Sequence, residues 1–360
     1  MKKTTPQLLL VEQFSQFVKV SARGRRLTPS GKRIARGTIM NYRYVQLLLN
    51  EFEQKNHRQL RIQLLHRASM RLLQRERNYW ARFFNQFSVF LYREKKYCDH
   101  YVLNVFKALK TFFNYLQQER GLMTGNYHKS FRVPLQQSTP VVLTPEQLRF
   151  LITNREFEQS LNPFVRRARD IFVFGCTVAL RVSDLMKLKK TNLIKTENET
   201  FLSLFTEKTG AEVRIPLPDY ALEIVFRNRR KAGKYLLPRL SSANLNVQVK
   251  RLIQLAGWDY TVPKNRSYKG KMEEIKTESG KTWPFYRHIT AHTMRRTAIT
   301  TLLIMGVPEN VVRKISGHAP GSKEFYKYVG IADEYLNQEV KKAYQKLVAT
   351  PILPTIETGV

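Results

Sequence analysis

Cysteine is nearly absent. Only Cys98 and Cys176 occur in 360 residues. That excludes a disulfide framework and a cysteine-rich zinc site, and it makes a reduced, cytoplasmic setting the default. Acidic residues are scarce as well: 28 Asp and Glu stand against 62 Lys and Arg, a formal net charge of +34. Such an excess calls for a polyanionic partner, and nucleic acid is the commonest. A ribosomal or membrane-surface protein is the competing reading, but 21 Phe, 17 Tyr and periodic apolar residues argue against a disordered basic tail. No run approaches the roughly 18 uninterrupted apolar residues of a membrane span. The opening "MKKTTPQLLLVEQFSQF" has two lysines but no long apolar stretch, so it does not read as a signal peptide. There is no Gly-rich nucleotide loop and no carboxylate cluster of the two-metal kind. Phosphoryl chemistry in this chain would therefore run without metal or ATP, on cations and a side-chain nucleophile.

The length suggests two domains. The first 140 residues carry 26 basic and 7 acidic side chains, so they are the denser cation. They read as helices. In "GTIMNYRYVQLLLNEFEQK", Thr38 is a possible N-cap, and Ile39, Tyr42, Val45, Leu49 and Phe52 recur at steps of three and four. Trp80, Phe83, Phe84, Phe87, Phe90 and Leu91 form one broad stripe, and Val102, Val105, Phe106, Leu109, Phe112 and Leu116 another, with Gly121 ending that helix. Such stripes are core far more often than base-stacking platforms, and the basic residues opposite them are the better contacts for a polyanion.

The proline-containing "RVPLQQSTPVVLT" is a linker. It ends in Thr144-Pro145-Glu146-Gln147, a capping box with Pro at the first helical position. The expected domains are 1–137, a linker at 138–143, a second domain at 144–345 and a tail at 346–360. The second domain is mixed: a buried helix "FVRRARDIFVFGCTVAL", a helix capped by Ser183, a hairpin of "FLSLFTEK" and "VRIPL", and three further helices. Residues 260–290 read as a polar loop or insertion. The fold class is thus mainly α with a small β-hairpin or sheet.

Five places in it can carry chemistry. Arg181, between a buried helix and a capped one, would be a stiff donor for a bidentate oxyanion contact, with Asp184 bracing it or favouring the helix start. Lys208 stands where a strand enters a tight turn and could donate a proton into a cleft, though such lysines usually only solvate the turn. His292 and Arg295, at i and i+3, share one helical turn and can grip one anion together, while Arg296 points about 100° away. His318 follows Gly317 where a short helix ends. Tyr326 and Tyr328 come close behind. Together, cations would neutralise charge on a phosphodiester, a tyrosine oxygen would attack, and a lysine would protonate the leaving oxygen.

Arg181, Lys208, His292-x-x-Arg295, Gly317-His318 and a following tyrosine, in that order, resemble the tyrosine recombinase (integrase) family, in particular integrases of mobile elements from the Bacteroidetes. "CTVALRVSDLMKLKKTNL", "EKTGAEVRIPL" and "AHTMRRTAITTLLIMGVPENVVRKISGH" carry the resemblance. It implies a SAM-like core-binding domain at 1–137 and a catalytic domain at 144–345, closing as a C-shaped clamp on double-stranded DNA. There is little room for a separate N-terminal arm-binding domain. It further implies that Arg181, His292, Arg295 and His318 bind the scissile phosphate, that Lys208 is the general acid and that a tyrosine is the nucleophile. A four-protomer synapse with exchanged C-terminal segments, accessory DNA-bending or directionality factors, and a nucleoid-associated cytoplasmic protein also follow. A type IB topoisomerase-like nicking-closing enzyme and a catalytically silent DNA-binding descendant are the alternatives.

In that family the tyrosine usually stands nine residues after the histidine. Here Tyr326 stands at eight and Tyr328 at ten. The turn "APGS" can absorb one added residue cheaply, whereas a shift inside the next helix rotates every side chain by about 100°. Phe325-x-x-Tyr328 keeps Tyr328 near the buried side, so Tyr328 is the expected nucleophile and Tyr326 its alternative. Binding to DNA is expected to weaken steeply with salt: with six or more phosphates neutralised, affinity falls about a thousandfold between 50 and 200 mM salt. A salt titration of duplex binding checks this, and a flat profile contradicts it.

Overall fold

The computed structural model describes residues 7–207, 210 and 212–349. In chain order its helices are α1 (Leu10–Ala22), α2 (Arg36–Lys55), α3 (Met70–Val89), α4 (Asp99–Gln118), α5 (Pro145–Thr153), α6 (Arg155–Ser160), α7 (Pro163–Val178), α8 (Val182–Leu185), α9 (Asp219–Asn228), α10 (Ser242–Leu255), α11 (Phe285–His288), α12 (Ala291–Ile304), α13 (Glu309–Ser316) and α14 (Lys323–Ala349). The strands are β1 (Gln7–Leu9), β2 (Arg61–Gln63), β3 (Leu193–Lys195), β4 (Thr200–Phe205), β5 (Glu212–Pro216), β6 (Asn265–Tyr268) and β7 (Lys271–Glu274). None of the described helices is long and apolar enough to cross a membrane. The chain divides into two units: Met1–Ser138 with Asn265–Ile275, and Thr139–Lys264 with Lys276–Val360.

The first unit packs α1 to α4 around aromatic rings. Phe14, Phe17, Phe87, Phe106, Phe112 and Phe131 are fully buried, and Trp80 meets Phe113 edge-on at 4.9 Å between centroids. Edge-to-face pairs suit the ring quadrupoles, and each adds about 1 kcal/mol to the burial itself. The stripes seen in the sequence are therefore core, while Arg71, Arg75 and Arg82 on the other face of α3 are exposed. One cap differs from expectation. Helix α2 begins at Arg36, so Thr38 lies within its first turn and Ala35 holds the cap position without a side-chain bond.

The polar stretch expected as a loop contains the antiparallel pair β6–β7, with Ser267 opposite Met272. Its anchor is Asp99, a fully buried carboxylate at the start of α4. Asp99 accepts from Tyr92 Oη at 2.6 Å, from the backbone N–H of Lys269 and of Gly270 at 2.8 Å each, and from Ser267 Oγ. Burial pushes the Asp99 carboxyl up, but the bonds from Ser267, Tyr92, Gly270 and Lys269 outweigh it and hold it below the usual carboxylate range. Gly270, at φ +77°, stands where a Cβ would come within 3.1 Å of Pro134.

The second unit is built on α7. Asn162 Oδ1 caps it by accepting from Phe164 N and Val165 N at 3.0 Å each, with Pro163 as its first residue. Ile171, Phe172, Val173 and Phe174 are all fully buried, so this helix is apolar on nearly every side. Each such side chain contributes about 2 kcal/mol by burial. Thr144 and Gln147 form the capping box of α5 as expected. Strands β3, β4 and β5 make an antiparallel meander, adding β3 to the expected hairpin. Gly175 lets α12 approach α7 closely, because a Cβ there would lie 2.5 Å from Met294 Sδ.

Replacing Asp99 by Asn leaves backbone donors facing an amide. Asp99→Asn should cost about 3 kcal/mol in urea unfolding. The contribution of Asp99 is present above the ordinary carboxylate pKa and fades as pH falls through its lowered folded value. A loss under about 0.5 kcal/mol contradicts the anchoring role.

Candidate anion-binding site

The site begins at the end of α7. Ala179 follows it in the left-handed conformation, φ +55° and ψ 15°. For a residue with a Cβ this costs about 1 kcal/mol. The turn aims the Ala179 carbonyl at Arg295, whose Nη1 donates to it at 2.9 Å. Two residues later Arg181 occupies the N-cap position of α8. The expected cap, Ser183, lies inside that short helix. The backbone around Arg181 is therefore set by the α7 turn and not by a side-chain cap.

Arg295 is 3% exposed. Burial and the nearby Arg181 lower its pKa to about 10. Among the described residues neither Arg295 nor Arg181 makes an ion pair, and Arg181 Nη1 is buried without a hydrogen-bond partner. The contrast is Arg169, equally buried on α7. It donates to Leu151 O and pairs with Asp170 at 3.1 Å and Glu158 at 3.3 Å. A buried guanidinium normally finds such carboxylates, because desolvating it alone costs several kcal/mol. Asp184 does not supply one. Its Oδ1 accepts from Glu207 N at 3.1 Å and its carboxylate makes no bond to the Arg181 side chain, so of the two expected roles it takes the second, an acidic residue in the first turn of α8.

His318 is presented by the end of α13. Gly317, at φ +62°, closes that helix, with Gly317 N on Lys314 O at 3.2 Å and His318 N on Arg313 O at 3.0 Å. This is a Schellman arrangement, which only a residue tolerant of positive φ can end. The imidazole touches Arg295 Nη2 at 3.0 and 3.2 Å from its two ring nitrogens, and Ser316 Oγ stands 2.8 Å from Nδ1. Burial first, then Arg295 and Arg181, lower the His318 pKa to about 4. His292 stands one turn before Arg295 and is exposed. Partial desolvation of its ring lowers its pKa first, followed by Arg296, Arg295 and Arg181.

Tyr328, on α14, is 5% exposed, and its ring centroid lies 6.0 Å from that of His318. It packs with Phe325, Ala179, Ala298 and Val312. Tyr326 is 50% exposed and lies under the Arg313 guanidinium at 5.4 Å. Arg181, His292, Arg295, His318 and Tyr328 are thus brought together, and Tyr326 faces away. Lys208 lies outside the described residues. Sequence reasoning missed Ala179 and Ser316. A hydroxyl two residues before His318 was the available signal for the second, whereas nothing local marks an alanine for positive φ.

A mixed domain that gathers a buried and a half-buried guanidinium, neither paired with a carboxylate among the described residues, with imidazoles beside a phenol defines an anion-binding class of protein. The chain belongs to the phage integrase family, whose model matches residues 142–334. Over 179 residues it is 27% identical to transposase B from transposon Tn554 of Staphylococcus aureus (strain Mu50), an alignment covering 47% of this chain. The chain spans only 25% of that relative's length. A crystal structure of a lambda integrase dimer bound to a COC′ core site superposes with a TM-score of 0.57 at 15% identity, covering 90% of this chain and 78% of the other. XerH site-specific recombinase bound to a palindromic difH substrate gives 0.57 at 16% identity, with 91% and 84% covered. The Tn1549 transposon integrase with transposon right-end DNA gives 0.55 at 15% identity, with 93% and 99% covered. These likenesses establish the tyrosine recombinase fold, mainly helical with small sheets.

The low His318 pKa has a consequence for pH. The folded value lies below the ordinary value of about 6.5, so between them the unfolded chain binds more protons. The contribution of His318 to stability is therefore full above pH 6.5 and falls toward pH 4, by roughly 2 kcal/mol once solvent screening of the half-buried ring is allowed for. Saturating sulfate should recover part of this, because an anion between the arginines favours the imidazolium. Melting curves at pH 7 and 5, with and without sulfate, check it against His318→Asn, since His128, His288 and His292 are lowered too. A variant whose acid loss and sulfate response equal those of the wild type contradicts the assignment.

Proposed function

We propose that this chain is a site-specific DNA recombinase that cuts and rejoins DNA through a covalent 3′-phosphotyrosine, without metal or ATP. The observation that carries the reading is the buried Arg295 and the half-buried Arg181, whose Nη1 is buried without a partner, neither paired with a carboxylate among the described residues and both set beside His318 and the buried Tyr328. A phosphodiester is the anion such a site would compensate. In the transition state charge grows on the non-bridging oxygens, where preorganised donors in a dry site stabilise most.

The steps balance simply. Tyr328 Oη attacks phosphorus, its proton passes to solvent or a neighbouring base, and the bond from phosphorus to the 5′ oxygen breaks. Lys208 would give that 5′ oxygen its proton. A 5′ hydroxyl then reverses the sequence, and the phosphotyrosine bond has kept the energy needed to rejoin. Arg181, His292, Arg295 and His318 hold the phosphate throughout. The first unit would add duplex contacts through cations such as Arg71, Arg75 and Arg82. Integration or excision of a mobile element suits the transposase and transposon-integrase likenesses. Action in the cytoplasm, a four-protomer synapse with exchange of the C-terminal segment, and accessory DNA-bending factors belong to the same proposal.

A DNA site nicked beside the cleavage position should trap a covalent adduct. Tyr328→Phe should reduce it by at least about a thousandfold, the scale for loss of a nucleophile, whereas Tyr326→Phe should retain it. Loss of the adduct only in Tyr326→Phe overturns the choice of tyrosine. Adducts without products joining two parental DNAs leave a nicking-closing enzyme instead, and no adduct at a bound cognate site leaves a DNA-binding protein.

A further inference from the structure

Ser316 is the last residue of α13 and is completely buried. Its hydroxyl has more neighbours than protons. Oγ lies 2.7 Å from Val312 O, 3.3 Å from Arg313 O and 2.8 Å from His318 Nδ1. It can donate to only one of them. Which one it chooses decides the chemistry of His318.

His318 is neutral near pH 7, since its pKa lies at about 4. A neutral imidazole carries one N–H and one lone pair. If Nδ1 holds the proton, it donates to Ser316 Oγ, and the hydroxyl donates back along the helix to Val312 O. Nε2 then offers a lone pair, which repels an anion. If Ser316 donates to Nδ1, then Nε2 carries the N–H and can bond a phosphate oxygen. Arg295 does not make this choice. Its Nη2 is almost equidistant from the two ring nitrogens, at 3.2 and 3.0 Å, so its contact does not single out one of them. Val312 O loses little when the hydroxyl turns away, because it is the i−4 carbonyl for Ser316 N in the helix. Every other requirement of an anion site then points to the second arrangement.

We propose that Ser316 is a positioning residue that fixes His318 as the Nε2–H tautomer by donating its hydroxyl proton to Nδ1. The inference rests on the reading of this cluster as a phosphodiester site. It adds a residue that touches neither DNA nor the reacting atoms. The partner that orients a working imidazole is commonly a carboxylate or a carbonyl; here a helix-terminal hydroxyl takes that place.

The direct test is the ¹⁵N spectrum of the imidazoles in the full-length protein at pH 7, free and with saturating inorganic sulfate, with His318 assigned by its disappearance in His318→Asn. Wild type should show Nε2 protonated and Nδ1 bare. Ser316→Ala should shift His318 toward the Nδ1–H form and slow adduct formation on nicked DNA on the order of tenfold, with duplex affinity unchanged. Ser316→Cys fills the same space with a weak donor and should behave like Ser316→Ala. A wild-type ring protonated at Nδ1, or a Ser316→Ala spectrum identical to wild type, overturns the proposal. So does full activity in Ser316→Cys, which would assign the effect to packing. Absence of any adduct in wild type would instead strike the recombinase reading and leave the tautomer result standing.

Discussion

The site depends on one hydrogen bond, from Arg295 Nη1 to the carbonyl of Ala179. It fixes a guanidinium that is almost completely buried, and burial is what gives that charge its strength. In water, a unit charge 4 Å from another is worth about 1 kcal/mol; at the effective dielectric of a protein surface it is worth about four times more. The bond exists because α7 stops in a left-handed turn at Ala179 and because Gly175 lets α12 lie close against that helix. A larger residue at 175 would push Met294, and with it Arg295, away from the turn.

Two kinds of buried arginine occur within one unit, and their difference carries the functional argument. Arg169 is neutralised by Glu158 and Asp170 and hydrogen-bonded to the α5 carbonyls, so it holds helices together. Arg295 meets a carbonyl, an imidazole and a second arginine. Folding normally avoids uncompensated charge of this sort, so stability was given up where an external anion can restore it. The lowered pKa values of Arg295 and His318 express the same electrostatic pressure from two sides.

Much of this was legible in the sequence, and the reasons differ by residue. The Thr144 capping box and the Gly317 turn are local devices, readable from four or five neighbouring residues. The side of Tyr328 followed from helical period once Phe325 was taken as buried, and its burial agrees with that. The Ser183 cap failed because a left-handed alanine upstream, not a hydroxyl, sets the start of α8. The β6–β7 pair was hidden because its residues are polar and its anchor, Asp99, lies far away in sequence. A buried carboxylate with four donors leaves no periodic trace. Ser316 left only a weak trace, a single hydroxyl two residues before His318, because its contact with Nδ1 depends on the turn that ends α13.

The central claim is that Tyr328 Oη attacks a phosphodiester held by Arg181, Arg295 and His318. The most direct measurement is peptide mapping of the covalent protein–DNA adduct by mass spectrometry after nuclease digestion. The account predicts a nucleotide joined through its 3′ phosphate to Tyr328. A nucleotide on Tyr326 or on any other residue, or one joined through its 5′ phosphate, would contradict it.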